Sequence, residues 1–263
     1  MLASGKDFVS ESDNVPVTVT SPFQAANCAS LGFKPALKLQ LQGGKTRRGG
    51  LPGLKAVLTA RPGDANIGKA QVTLPPSEFL EQGHLKDVCP RSVWIQGTVP
   101  GEKCPAKSIY GHARATTPLL SEPLAGPVYL RTGYGTKLPQ LVAALNAQEI
   151  NIDVVGEIDS VHRKGSEVAL LRNTFKSVPD APVTKFELEL EGGKKGLLVN
   201  STNICKGTHK ARAAFTGQNG KLDEFEPTLT ASSCKGGKKG KGAKNGHGGK
   251  AGHGKGSNGK KGS

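Results

Sequence analysis

The five cysteines are the residues of this chain whose chemistry depends most on their spacing. They are Cys28, Cys89, Cys104, Cys205 and Cys234. No two of them form a Cys-x-x-Cys pair, and no histidine lies near them at zinc-finger spacing, which disfavours a zinc site. Widely spaced cysteines in a strand-rich chain favour disulfides and an oxidising compartment. Free or buried thiols in a cytosolic protein are the alternative.

Spacing and a weak similarity between two segments of the chain predict which cysteines pair. Before Cys28 and before Cys234, a Thr-rich stretch with a proline near its start leads into small residues. If each of these cysteines closes a module, Cys234 pairs with Cys205 and Cys28 has no partner in this chain. Cys89 and Cys104 then form the other disulfide, and closing their loop contributes about 3 kcal/mol in the chain-entropy model. Coincidence is the alternative explanation of this similarity, because short Thr-rich strands are common in β proteins.

No arrangement for nucleophilic or metal-assisted catalysis is recognisable in the sequence. It contains no Gly-x-Ser-x-Gly elbow, no His-Glu-x-x-His pair and no phosphate-binding P-loop, and its six histidines are scattered. An unrecognised hydrolase would need carboxylates or histidines from distant parts of the chain to converge in a cleft. We therefore predict a non-enzymatic protein with no catalytic residues, metal or cofactor.

Three carboxylates and one triplet offer weaker possibilities. Asp153, Glu157 and Asp159 have oxygen atoms that suit Ca²⁺, although their spacing matches no EF-hand loop. We prefer to interpret them as a charged strand edge that discourages pairing with other chains. Asn200 begins an Asn-Ser-Thr triplet, the acceptor pattern for N-glycosylation, which arises often by chance.

Residues 235–263 carry most of the basic character. They hold nine lysines and no acidic residue, which gives this segment a formal charge of +9. Because the whole chain carries +15, residues 1–234 carry the remaining +6. Interleaved glycine and lysine predict an extended, disordered tail, because glycine maximises chain entropy and lysines repel one another. Without an aromatic residue, the tail offers a polyanion only non-specific, salt-dependent attraction. The predicted contact residues are Lys235, Lys238, Lys239, Lys241, Lys244, Lys250, Lys255, Lys260 and Lys261. Nucleic acid, an anionic wall polymer and an acidic lipid surface are candidate partners, and a spacer without a partner is the alternative.

Alternation of apolar and polar residues between Gly, Pro and Asn turns predicts an all-β fold. The clearest strand covers residues 185–190, with one apolar and one acidic face. One short helix is predicted over residues 77–88, where Ser77 is the cap and Glu78 and Glu81 lie in the first turn. The predicted strands cover residues 15–20, 36–42, 54–59, 67–74, 108–117, 128–130, 141–145, 150–155, 168–175, 185–190, 196–199, 209–215 and 225–230.

We interpret the strands as two small, immunoglobulin-like β-sandwich modules. Pro118, Pro123 and Pro127 punctuate the boundary between them. The chain then divides into a partial, disordered N-terminal segment with one strand (1–21), a first module (22–118), a second module (119–234) and the disordered tail (235–263).

The N-terminal residues conflict with the export that disulfides predict. They lack the basic and apolar regions of a signal peptide, so we expect the chain to start inside a longer protein with neighbouring modules. No stretch approaches the ~20 apolar residues that span a bilayer as a helix.

A series of turn and strand signatures runs through residues 22–234. They are Phe33-Lys34-Pro35, 63–67, 117–120, 126–130, Leu138-Pro139, 178–183, Asn203-Ile204-Cys205 and 217–220. In these signatures the chain resembles a family of large secreted, repetitive β-rich proteins of actinobacteria. The resemblance implies export and a modular β architecture, and it implies no catalytic or ligand-binding residue.

Together these patterns favour a non-enzymatic structural or adhesion protein of the extracellular space or cell envelope. A polyanion-binding protein that acts through residues 235–263 is the second hypothesis. A hydrolase with an unrecognised site is the third.

Overall fold

A computed structural model describes residues 26–234 except 163, 164 and 166, together with the backbone of two short strands near the N-terminus. These strands, β1 (Phe8–Val9) and β2 (Pro16–Val17), pair antiparallel. The predicted tail and its nine lysines lie outside the described residues, as does the rest of the segment 1–21.

Strands dominate the described part of the chain, which confirms the all-β class. They are β3 (Ala36–Gln42), β4 (Gly53–Thr59), β5 (Ile67–Thr73), β6 (Glu78–Leu80), β7 (Ile109–Thr116), β8 (Leu124–Arg131), β9 (Gln140–Ala147), β10 (Ile150–His162), β11 (Ala169–Phe175), β12 (Lys185–Leu190), β13 (Leu198–Asn200), β14 (His209–Lys210), β15 (Arg212–Gly217), β16 (Leu222–Phe225) and β17 (Thr228–Ala231). The helical elements are α1 (Arg91–Trp94) and 3₁₀ turns at Cys28–Ser30, Gln82–His84, Ala106–Ser108 and Gly193–Lys195. No helix in the described ranges is long and apolar enough to cross a membrane.

Thirteen strands form one sheet, in the order β14-β17-β3-β4-β12-β7-β8-β9-β10-β11-β5-β15-β16. Neighbours pair antiparallel except β17 and β3, which run parallel. β12, from the C-terminal half, lies between β4 and β7, and β5, from the N-terminal half, lies between β11 and β15. The strands therefore do not divide into two sandwiches at residue 118, because both halves contribute neighbouring strands to the same sheet.

The sheet curls until its distant parts meet. Ile67 of β5 and Phe215 of β15 share an apolar cluster with Leu37 of β3 and Leu58 of β4, far away in the strand order. Because successive side chains of a strand point to opposite faces, each strand sends every second residue into the shared interior. Leucines supply much of the core there, including fully buried Leu130 of β8.

Both disulfides join pairs that the sequence predicts. The Cys89–Cys104 bond closes a loop that contains α1, and Trp94 of this loop packs edge to face on Tyr129, with ring centroids 5.3 Å apart. The loop thereby covers the outer face of β8 and β9. The Cys205–Cys234 bond joins the segment after β17 to the segment before β14. Cys28 is free and exposed.

The helix predicted over residues 77–88 is absent from the structure. Residues Glu78–Leu80 form β6, which pairs with β13 so that Glu78 lies opposite Asn200 and Leu80 lies opposite Leu198. Helical geometry is limited to the single turn Gln82–His84, where the Glu81 carboxylate accepts a hydrogen bond from the backbone N–H of Gly83. Pairing with a distant strand therefore outweighs the local helix signals.

Candidate functional site

The curled sheet encloses a cavity of about 280 Å³. Its wall consists almost entirely of aliphatic and aromatic side chains from strands on all sides of the interior. Thr117, Arg172 and Asn173 are the polar residues of the described wall. The Arg172 guanidinium is directed to the outer face of the sheet, where it forms an ion pair with Asp159. The cavity is therefore an apolar space with very few polar groups.

Small side chains at inward positions leave this space open. Ala56 of β4, Ala70 of β5 and Ala115 of β7 all line the cavity. Ala56 is only partly buried, although it lies between the inward-facing Leu54 and Leu58, so its methyl group borders unfilled space. Interiors of folded proteins normally leave few voids larger than a water molecule, and these alanines are the local reason for the exception.

A two-stranded ribbon closes one end of the cavity. The ribbon consists of β6 and β13, and its residues Leu80 and Leu198 face each other across the strand pair. Both leucines line the cavity, together with the neighbouring Leu197. The ribbon therefore acts as an apolar floor.

The opposite end is bordered by loops and carries exposed apolar side chains. Leu119, which follows β7, is 67% exposed, and Ile150, at the start of β10, is 41% exposed, although both line the cavity. The Gln148 amide donates a hydrogen bond of 2.5 Å to Ser121, which joins the loop after β7 to the β9–β10 turn. Apolar residues that touch both the cavity and the solvent mark its opening.

Asn173 places an amide group in the apolar wall. It lies in β11 between Leu171 and Phe175, which line the same cavity. Its Oδ1 is buried without a hydrogen-bond partner among the described residues. The amide lies over Gly156 of β10, where an added Cβ would come within 2.5 Å of Oδ1. Glycine at this position is therefore what makes room for the amide.

The three carboxylates considered for Ca²⁺ do not converge on a shared site. Asp153, Glu157 and Asp159 lie along the outer face of β10, and each contacts different groups. Burial raises the pKa of Asp153, which accepts a 2.8 Å hydrogen bond from the Trp94 indole.

Each of the three carboxylates has its own basic partner. Asp153 pairs with Arg131, Glu157 with Lys176, and Asp159 with Arg172. β10 lies between β9 and β11, so these residues do not form a sheet edge either. The described residues contain no group of three His, Cys, Asp or Glu side chains that could hold a metal ion.

Asn200 is structural and does not offer a glycosylation site in the folded chain. It is 1% exposed, and its Nδ2 donates to the backbone carbonyls of Lys45 (2.6 Å) and Arg47 (3.2 Å). An enzyme that modifies the amide nitrogen cannot reach it there.

Glu78 is a buried carboxyl group that the sequence does not reveal. Burial raises its pKa to about 8, and the adjacent Ser77 hydroxyl opposes this rise only in part. Four buried polar atoms lie here without a well-formed hydrogen bond within the described ranges. They are the two carboxyl oxygens of Glu78, Ser77 Oγ and Asn200 Oδ1. Because the amino acid pattern around Glu78 is that of a helix start, its position opposite Asn200 becomes visible only in the fold.

A second groove, of about 430 Å³, crosses the outer face of β10, β11, β5 and β15. It contains His162, Arg172 and Arg212. Its arginines are paired, Arg172 with Asp159 and Arg212 with Glu226 at 3.8 Å. The two arginines of the groove are therefore already paired with carboxylates of the sheet.

No protein-family model matches the chain, and no curated protein matches it. Among solved structures, it shows a distant likeness to a DUF4466 family protein from Parabacteroides merdae, with 8% sequence identity and a TM-score of 0.28. The match covers 76% of this chain and 45% of that protein, so the chain spans less than half of its length. A likeness at this level carries no conclusion about function.

Proposed function

We propose that the curled sheet is a non-catalytic binding domain that holds a small apolar ligand in its interior. The supporting observation is the cavity of about 280 Å³ with its almost wholly apolar wall. Ligand sites in proteins are typically concave and mostly apolar, with a few polar groups that orient the ligand. Water gains few hydrogen bonds from a wall of leucines and isoleucines, so such a cavity favours an apolar guest over water.

The two disulfides support the further proposal that the protein works in an oxidising compartment, outside the cell or in its envelope. The structural or adhesion role predicted from the sequence stays a prediction. Attraction of a polyanion to residues 235–263 is a separate proposal, which nine lysines without an acidic residue support.

A neutral, apolar fluorescent probe such as N-phenyl-1-naphthylamine tests the binding proposal. We expect wild-type protein to bind it saturably, with one site per chain. Ala56→Phe fills the space beside β4, so we expect it to weaken binding at least about tenfold, because the ring occupies the volume that the probe needs.

Ala125→Phe is the matched control, because Ala125 is exposed in β8 and does not line the cavity. It should bind the probe like wild type. Thermal unfolding shows whether each variant is folded, and Ala56→Leu replaces Ala56→Phe if the larger ring is not tolerated. The proposal fails if wild type does not bind the probe, or if filling the cavity leaves the affinity unchanged.

A further inference from the structure

We infer that the ligand of this cavity carries one neutral hydrogen-bonding group and that the Asn173 amide binds it. This inference rests on the proposed function, because it specifies the ligand of the same cavity. A hydroxyl is the smallest group that fits the requirement, since it both donates and accepts a hydrogen bond.

The position of Asn173 is the first argument. In the sheet register it lies beside Val72 of β5 and Ile158 of β10, which are apolar and line the same cavity. Oδ1 of Asn173 is buried and has no hydrogen-bond partner among the described residues. The amide oxygen is therefore an acceptor without a protein partner in an apolar wall.

The energetic cost of that amide is the second argument. An unpaired amide in an apolar environment destabilises the folded chain, whereas leucine has nearly the same size and shape and has no polar group to leave unpaired. A ligand group that bonds to the amide removes the cost in the complex. Rotation about the last side-chain torsion, which has a broad energy profile, brings either amide atom toward the cavity.

The absence of a counter-charge in the described wall is the third argument. Arg172 is the charged residue among those that line the cavity, and its guanidinium forms an ion pair with Asp159 on the outer face. An ionised ligand group would therefore be buried without an opposite charge, which is strongly unfavourable. The geometry thus favours a neutral group over a carboxylate or an ammonium group.

Naphthalene and 2-naphthol form a suitable pair of probes because they differ by one hydroxyl. Their dissociation constants are measured by equilibrium dialysis for wild type and for Asn173→Leu. The quantity compared is the preference for 2-naphthol over naphthalene, in which differences in hydration of the free probes cancel between the two proteins. We expect this preference to fall about 3- to 10-fold in Asn173→Leu, the effect of one net hydrogen bond.

Asn151→Leu is the matched control, because Asn151 is exposed in the neighbouring β10 and does not line the cavity. It should retain the wild-type preference. If Asn173→Leu does not fold, Asn173→Val provides the same comparison. An unchanged preference in a variant that still binds naphthalene overturns the inference and leaves the proposed function intact, and it is also the result expected if only water bonds to the amide. Failure of wild type to bind either probe contradicts the proposed function itself.

Discussion

Glu78 shows how a single residue acquires unusual chemistry from its place in the fold. It lies directly opposite Asn200 in the β6–β13 ribbon and is fully buried. Residues opposite each other in an antiparallel pair have Cβ atoms about 5 Å apart, so the two side chains are neighbours. With its pKa raised to about 8 by burial, the carboxyl is mostly protonated at pH 7, and its O–H can donate to an acceptor such as Asn200 Oδ1.

This protonation makes the free energy of unfolding depend on pH. The pKa of Glu78 rises from 4.5 in the unfolded reference to about 8 in the fold. Between these values the folded chain retains a proton that the unfolded chain releases, so the contribution of Glu78 to stability is largest below pH 4.5 and falls as the pH rises toward 8. We expect a loss of a few kcal/mol over this range, with about 5 kcal/mol as the upper limit.

Denaturant unfolding at pH 5 and pH 8 checks this expectation. Glu78→Gln cannot ionise, so the loss between the two pH values should be smaller in this variant than in wild type. Glu122→Gln, at an exposed position, should behave like wild type. Equal losses in wild type and Glu78→Gln would show that Glu78 is not protonated in the fold.

Sequence reasoning fails at Glu78 for a physical reason. Ser77, Glu78 and Glu81 match the start of a capped helix, and the same pattern also suits a strand when a distant partner is present. That partner is β13, which lies more than a hundred residues later in the chain. The role of Asn173 is hidden from the sequence in the same way. An asparagine in an alternating strand gives no sign that its amide oxygen will be left unpaired by the fold.

At the scale of elements, alternation predicts many strands of the sheet but does not predict their neighbours. β3 and β12 have the predicted bounds, Ala36–Gln42 and Lys185–Leu190, because alternation is a local property. The position of β12 between β4 and β7 depends on contacts between distant segments. The sequence does not reveal the cavity either, because it too depends on contacts between distant segments. An inward alanine leaves a void only if no facing side chain fills it.

The disulfide-closed loop around α1 makes an element-scale prediction. Trp94 is the single tryptophan of the chain and is buried against β8 and β9 by this loop. The Cys89–Cys104 bond spans 15 residues, so replacing both cysteines by serine should cost about 3 kcal/mol of stability. Greater exposure of Trp94 should also shift its fluorescence emission to longer wavelength.

The pair Cys205→Ser and Cys234→Ser is the natural control, because it removes the other disulfide without touching the Trp94 cluster. Its emission spectrum should match that of wild type under native conditions. An unshifted spectrum after loss of the Cys89–Cys104 bond would mean that packing alone holds the loop in place.

At the scale of the whole molecule, charge and the cavity are assigned to different parts of the chain. Residues 235–263 hold nine of the formal +15 charges, whereas the cavity lies in the described sheet. The separation of charge is predictable by counting residues. Counting strands does not show that they join one curled sheet, because one sheet and two sandwiches present the same alternation along the chain.

Deletion of residues 235–263 tests the polyanion proposal at this scale. On nucleic acid, nine lysines contribute up to about 6 to 8 to the slope of log affinity against log salt, so the truncated chain should be much less salt-sensitive and bind more weakly. Probe binding in the cavity should not change.

A full-length variant with the nine lysines replaced by glutamine keeps the chain length and removes the charge. It should behave like the truncated protein on nucleic acid or heparin. Retention that is the same for all three proteins would assign any polyanion binding to residues 1–234.

The Cys205–Cys234 bond also decides which strands bear a mechanical load. Tension applied to the chain at Cys234 passes through the bond to Cys205, so β14 to β17 lie outside the force path. In the reduced protein the same pull acts directly on β17. This strand pairs parallel with β3, where Leu229 lies beside Leu39, so the force acts along the paired strands. Oxidation of one cysteine pair therefore shields four strands from a pull on the C-terminal end and directs the force into the segment before β14.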